Sequence, residues 1–199
     1  FIIAMDLIVD GASYPTAKIT EMSHVFRTLG LGYANLGALL MSIGLPYDSD
    51  EGRAVAAAIT AIMCGEAYKT SAELAAHVGP FPGYEKNREP MLEVINMHRE
   101  HVKNIDVEKI PPQLRYLVND AWDSWTEAVE IGTKYGFRNA QTTVIAPTGT
   151  ISIIAGVSSG IEPVFSLAFE RKALEGDEMI FIHPELKKVI KEENVRGRV

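Results

Sequence analysis

The stretch that most constrains the fold is "PPQLRYLVNDAWDSWTEAVEIGTKYG", residues 111–136. Leu114, Leu117, Val118, Ala121, Trp125, Ala128 and Val129 recur at three- and four-residue spacing, which puts them on one face of a helix and excludes a strand. Gly136 marks the stop, because glycine readily takes the backbone that closes helices. Asp120, Asp123, Glu127 and Glu130 lie along the opposite side and read as a solvated face. An apolar stripe this wide must be buried against another element, so the chain is committed to helix packing.

"SDEGRAVAAAITAIMCGEAYKTSAELAAHVG" predicts one long helix over about 50–78. It has a Ser/Asp start, carboxylates in the first turn, apolar Val55, Ile59, Ile62 and Met63 at helical spacing, and Gly79-Pro80 as its end. Thr16 predicts the cap of a helix running to about Thr28. "RTLGLGYANLG" reads as a glycine-punctuated strand or loop, followed by a helix over about 35–43 that Gly44 and Pro46 terminate. After the turn-rich "PFPGYEKNREP" a shorter helix is expected over about 90–103. Strand "AQTTVIA", a Pro-Thr-Gly-Thr turn, a helix from about Ile151 and strand "FSLAFER" at 165–171 follow. Strands alternating with helices indicate a helix-rich α/β fold. No repeat or clear domain boundary breaks residues 1–199, which read as a single segment, with 173–199 as a less certain extension.

Hydrophobic residues make up 47% and charged residues 23% of 199, which excludes a disordered chain. A net charge of -7 without a Lys/Arg block argues against a nucleic-acid groove or a membrane-surface patch. No apolar run approaches the roughly 18 residues of a membrane span. A single cysteine, Cys64, excludes an internal disulfide and a cysteine-rich zinc site, and fits a reducing, cytoplasmic setting. The chain opens on "FIIAMDLIVDGASYP", inside an amphipathic element, and stops at "VRGRV". An excerpt of a longer protein is the expectation.

Four motifs invite chemical readings. Gly30, Gly32 and Gly37 suggest a dinucleotide loop, but the third glycine follows the second by five residues instead of three, and Asp50 matches the ribose-binding acid only loosely. Close backbone packing is the simpler account. His98 and His101 share a helix face without an evident third metal ligand, so a surface helix is preferred and no metal site is assigned. Cys64 sits mid-helix beside Ile62 and Met63 and reads as a small buried hydrophobe. The Pro147-Thr148-Gly149-Thr150 turn differs from these. A strand ending in a glycine turn before a helix aims free N–H groups at one point, and Thr148, Thr150 and Ser152 add hydroxyls. That arrangement suits an anion such as phosphate. No Gly-Lys-Ser/Thr follows, so it is not a Walker loop, and a plain helix cap would also explain it.

"RTLGLGYANLGALLMSIGLPYDSDEGR", "AAAITAIMCGEAYKTSAELA", "RNAQTTVIAPTGTIS" and "GIEPVFSLAFERK" together resemble the large, catalytic chain of ribonucleotide reductase, in wording closest to the adenosylcobalamin-dependent class II branch. The resemblance runs from about Ile8 to Lys172. It implies part of a ten-stranded α/β barrel, here its C-terminal part, and a loop matching Ala146, Pro147, Thr148, Gly149, Thr150, Ile151 and Ser152 that binds the phosphates of a ribonucleoside di- or triphosphate. The amides around Gly149, Thr150 and Ile151 and the three hydroxyls are the expected contacts. "SGIEP" at 159–163 matches a family phrase and is expected to shape the next turn. The resemblance also implies chemistry that this stretch lacks. A cobalt–carbon bond yields a cysteine thiyl, which abstracts hydrogen from the ribose, and a cysteine pair donates the electrons. The family's Asn-x-Cys-x-Glu loop belongs upstream, so no catalytic residue is expected here and the fragment alone is expected to be inactive.

Two functions follow as expectations. The first is ribonucleotide reduction in a longer chain, with this stretch supplying the phosphate loop and the remainder of the reductase as its partner. An iron-dependent class I large chain is the close variant. The second is a non-catalytic nucleotide- or phosphate-binding module derived from the same barrel.

Overall fold

The computed structural model describes residues 1–172 and 178–195. They divide into two compact units, the first formed by residues 1–32 and 48–146, the second by 33–47 and 147–199 as far as described. The element order is α1 (Ile2–Gly11), α2 (Ala17–Phe26), α3 (Leu36–Ser42), α4 (Asp50–Val78), α5 (Tyr84–His101), α6 (Tyr116–Tyr135), α7 (Gly149–Ala155), β1 (Ala168–Lys172), β2 (Glu178–Ile182) and α8 (Pro184–Val195), with three short 3₁₀ turns between α5 and α6. No helix among the described residues is long and apolar enough to cross a membrane.

The first unit is built on α4 and α6. Ser49 caps α4 by accepting the Gly52 N–H at 2.9 Å, and Gly79 and Gly136, both at positive φ, close the two helices. On α6 the predicted stripe supplies the buried face, with Val118, Ala121, Trp125 and Ala128 in the core, Leu117 and Val129 half-buried and the four carboxylates exposed, while Leu114 falls in the 3₁₀ turn ahead of the helix. On α4 the expectation needs correction. Of the four large residues only Val55 is fully buried, and Ile59, Ile62 and Met63 are partly covered. The face toward the core is made of small residues, Gly52, Ala54, Val55, Ala58, Gly65, Ala67, Ser71, Ala72 and Ala75. At Gly65 the reason is the bulk of Trp125. A Cβ on Gly65 would lie 3.0 Å from the indole, whose Nε1 donates to the Ala61 carbonyl at 3.1 Å. The helices meet closely because one side is small and the other is an indole.

Helix α5 starts six residues earlier than its sequence suggests and runs through Pro90. Tyr84 is buried against Phe81 and Phe137, and the Gly83 N–H donates to the Val25 carbonyl, so the first turn is anchored. Pro90 and Lys86 are exposed, so the Lys86 carbonyl, which the proline deprives of its helical donor, is left to water.

The "AQTTVIA" segment is extended but forms only one parallel bridge, Leu31 with Thr143, and not a regular strand. The Leu29 N–H donates to Gln141 O, Leu31 N–H to Thr142 O, and Val144 N–H to Leu31 O. Gly30 and Gly32 make this approach feasible. A Cβ on Gly32 would sit 2.3 Å from the Val144 carbonyl oxygen, so these glycines serve backbone packing and not a dinucleotide. The predicted 165–171 strand begins three residues late. Residues 168–172 pair antiparallel with β2, Phe169 opposite and stacked on Phe181 at 5.1 Å. Among the described residues this two-stranded sheet and the single bridge are all the strand pairing present, and they do not close a barrel.

In the second unit, residues 33–47 are tied to 158–164. Asn35, left-handed at φ 76, donates its N–H to the Ser158 carbonyl and accepts the Ser158 N–H at Oδ1. Gly37 lies where a Cβ would be 2.8 Å from the Glu162 carbonyl oxygen, and the Tyr47 hydroxyl donates to Ile161 O at 2.5 Å.

Candidate functional site

Ala146 closes the extended segment of the first unit, and residues 147–152 open the second. Thr148 adopts φ 53, ψ 33, a left-handed conformation that costs a threonine roughly 1–2 kcal/mol. Its own side chain stabilises the bend, since the hydroxyl oxygen accepts the Gly160 N–H at 2.7 Å. Past this bend α7 begins at Gly149. The first helical bond outside its body joins Ser152 N–H to Thr148 O at 2.9 Å. The N–H groups of Gly149, Thr150 and Ile151 have no acceptor among the described residues, and all three residues are exposed.

The three expected hydroxyls do not behave alike. Ser152 is 2% exposed, and its hydroxyl donates inward to the Gly149 carbonyl at 3.0 Å while lying 2.9 Å from the Ser159 hydroxyl. A hydroxyl has one hydrogen, so Ser152 has none left to give an anion. Thr148 faces Gly160, although as an acceptor there it keeps its own hydrogen. Thr150 alone has an exposed side chain with no described partner. Gly149 has an ordinary backbone, and a Cβ placed on it would meet nothing within 4 Å. Neither strain nor packing inside the protein requires glycine at this position.

Elsewhere the named residues are held structurally. Cys64 Sγ lies 3.1 Å from Thr143 Oγ1, and burial pushes its thiol pKa up, away from thiolate reactivity. The His98 ring stacks on Trp125 at 5.2 Å, and His101 Nδ1 faces the Met97 carbonyl. Among the described residues no group of three or more His, Cys, Asp or Glu could hold a metal ion.

Sequence reasoning missed a buried polar network in the first unit. Asp6 accepts from Arg27 Nε at 2.9 Å, Asn139 Nδ2 at 2.8 Å and Arg138 Nε at 3.3 Å. Arg27, itself left-handed at φ 47, also grips Asp10 through two nitrogens. Asn139 is fully buried and fully bonded. Its second amide hydrogen goes to Arg27 O, and its oxygen accepts from Ser71. Burial opposes ionisation of Asp6, but the hydrogen bonds from Arg27, Asn139 and Arg138 outweigh it and hold the carboxyl below its ordinary range. The signal available in the sequence was the polar pair Arg138-Asn139 directly ahead of the predicted strand "AQTTVIA".

The family model for the ribonucleotide reductase barrel domain matches residues 1–198. The chain is 50% identical over 183 residues to a vitamin B12-dependent ribonucleotide reductase of Rhodopirellula baltica, covering 92% of this chain and 17% of that protein. Its counterpart from Bradyrhizobium diazoefficiens is 48% identical, covering 87% and 15%. A vitamin B12-dependent ribonucleoside-diphosphate reductase of Thermoplasma acidophilum is 29% identical, covering 90% and 18%. The chain thus spans less than a fifth of the length of each of these relatives.

Proposed function

The chain belongs to the ribonucleotide reductase barrel-domain family, and from that premise we propose that it is part of a vitamin B12-dependent enzyme reducing ribonucleotides to deoxyribonucleotides by radical chemistry. Within that enzyme, residues 146–152 hold the phosphates of a ribonucleoside di- or triphosphate, and residues 1–199 are a segment of the α/β barrel. The observation that carries the reading is Gly149. It is a glycine that no neighbour and no backbone angle demands, beside three N–H groups without acceptors. A phosphate approaching the main chain would supply both the reason for the missing side chain and the partner for the amides. Thr150 adds a hydroxyl donor, and Thr148 sets the bend.

Adenosylcobalamin supplies the radical in such an enzyme. The residues here do not fit the chemistry that uses it, because one thiol is present and it is bonded to Thr143 with its pKa raised. We therefore assign the cofactor and the redox cysteines to the remainder of the chain, and the role of this stretch is to bind and orient.

In the complete reductase, Thr150→Ala is expected to raise KM several-fold with little change in kcat, the loss of one hydrogen bond to a charged group. Gly149→Val is expected to raise KM more, by about 100-fold or beyond, because its side chain occupies the approach to the amides. Steady-state kinetics with unchanged KM in both variants removes the phosphate role from this turn.

A further inference from the structure

We infer that Ser159 is a positioning residue that, through Ser152, fixes the direction of the Gly149–Thr150 peptide and so aims the Thr150 N–H at the substrate phosphate. The inference rests on the proposed reading of the turn as the phosphate site, and adds to it a residue outside the turn.

The argument is one of hydrogen counting. Ser152 Oγ lies 3.0 Å from the Gly149 carbonyl oxygen, which can only accept, so the single Ser152 hydrogen points there. The 2.9 Å contact between Ser152 and Ser159 must then be donated by Ser159. The result is a one-way chain, Ser159 to Ser152 to the Gly149 carbonyl, and each bond in such a chain polarises the next. The peptide unit is planar and trans, so the carbonyl of Gly149 and the N–H of Thr150 point in opposite directions. Pulling the carbonyl inward turns the N–H outward. Ser152 is 2% exposed, which shields the chain from competition by water. A second tie, Gly160 N–H to Thr148 Oγ1 at 2.7 Å, comes from the residue next to Ser159 and holds the preceding bend. The Ser159-Gly160 dipeptide thus grips the turn on both sides of Gly149, which is open to solvent and to a ligand.

Helix α7 has only seven residues. Its first peptides are not locked by a long hydrogen-bonded body, so an outside anchor has leverage that it would lack on a longer helix.

The test uses the complete reductase and compares equilibrium binding of the ribonucleotide with that of the corresponding nucleoside, which lacks phosphate. Ser159→Ala is expected to weaken nucleotide binding about five-fold, the effect of one net hydrogen bond. It should leave nucleoside binding unchanged, and Ser159→Thr, which restores the donor, should recover most of the affinity. Unchanged nucleotide affinity in Ser159→Ala, or equal loss for nucleotide and nucleoside, overturns the inference. Gly149→Val separates the two levels. If it destroys nucleotide binding while Ser159→Ala is silent, the phosphate site stands and only the positioning role falls. If Gly149→Val is silent as well, both fall.

Discussion

The buried polar network of residues 6–139 and the turn at 147–160 solve a similar problem by opposite means. Each holds a left-handed, non-glycine residue, Arg27 at φ 47 and Thr148 at φ 53, at the point where the chain must change direction. The first is fixed by charge. Arg27 is 3% exposed and bonded to Asp6, Asp10 and Asn139, in a unit whose aromatic series Phe26, Phe81, Tyr84, Phe137 and Tyr68 packs ring on ring. The second is fixed by neutral hydroxyls alone, and around it Ile151, Ile153, Ile154 and Phe165 remain exposed. Charge pairs with several bonds each suit a position that must not move. A few hydroxyl bonds suit a position whose remaining donors are kept open for something else.

This contrast can be broken at its strongest point first. Gly132 lets the end of α6 pass the ring of Phe137, because a Cβ there would lie 2.1 Å from the ring carbon. Phe137 is fully buried between Tyr68 and Tyr84 and has nowhere to go. Gly132→Val is expected to cost about 3 kcal/mol or more and to empty the soluble fraction, read by urea unfolding of the surviving protein. Near-normal stability would mean that the aromatic series is soft.

Asn139→Ala comes next. It strips a donor from the buried Asp6 carboxylate, leaves the Ser71 hydroxyl without its acceptor and orphans the Arg27 carbonyl. A loss of about 2–3 kcal/mol is expected, seen as reduced amide-exchange protection over residues 27–31 and 138–144. The same substitution should leave the Gly160 amide as it was.

The gentlest probe is acid. Hydrogen bonds from Arg27, Asn139 and Arg138 lower the Asp6 pKa against the desolvation that would raise it, and an Arg27 bond lowers that of Asp10. A carboxylate whose folded pKa is depressed contributes stability above its unfolded value of 3.8 and loses it as pH falls through the lower folded value. Protection factors at Arg27 and Asn139 should therefore hold at neutral pH and decline below pH 3.8. That of Gly160, whose partner is a threonine hydroxyl, has no titration of its own to follow. Parallel decline at all three sites would merge what the structure separates.

How much of this was legible follows the same division. The helices α4 and α6 declare themselves because caps, period and glycine stops are local properties of the sequence. The choice of buried face on α4 does not, since Ala, Gly and Ser become core only when Trp125 arrives from another helix. Pro90 misled for a related reason. A local rule against proline in helices gave way to the anchoring of Tyr84, which no neighbour in sequence discloses. At the turn, Gly149 and the threonines could be read directly. The inward commitment of Ser152 could not, because it depends on Ser159 folding back. The Asp6–Asn139 pairing was out of reach altogether, its members being 133 positions apart.

That separation has a consequence for how the protein is made. Asp6 leaves the ribosome ahead of its partners, and its bonds to Arg138 and Asn139 cannot form until 132 and 133 further residues have followed. At about 5–20 residues per second, the wait is about 7–26 s. Through that interval Ile2 and Val9 have no settled core to enter, because docking α1 would bury a carboxylate short of two of its partners. Among the helices described, α1 is synthesised ahead of the others and secured only after α6 has been completed, and its hydrophobic residues stay unburied through that wait.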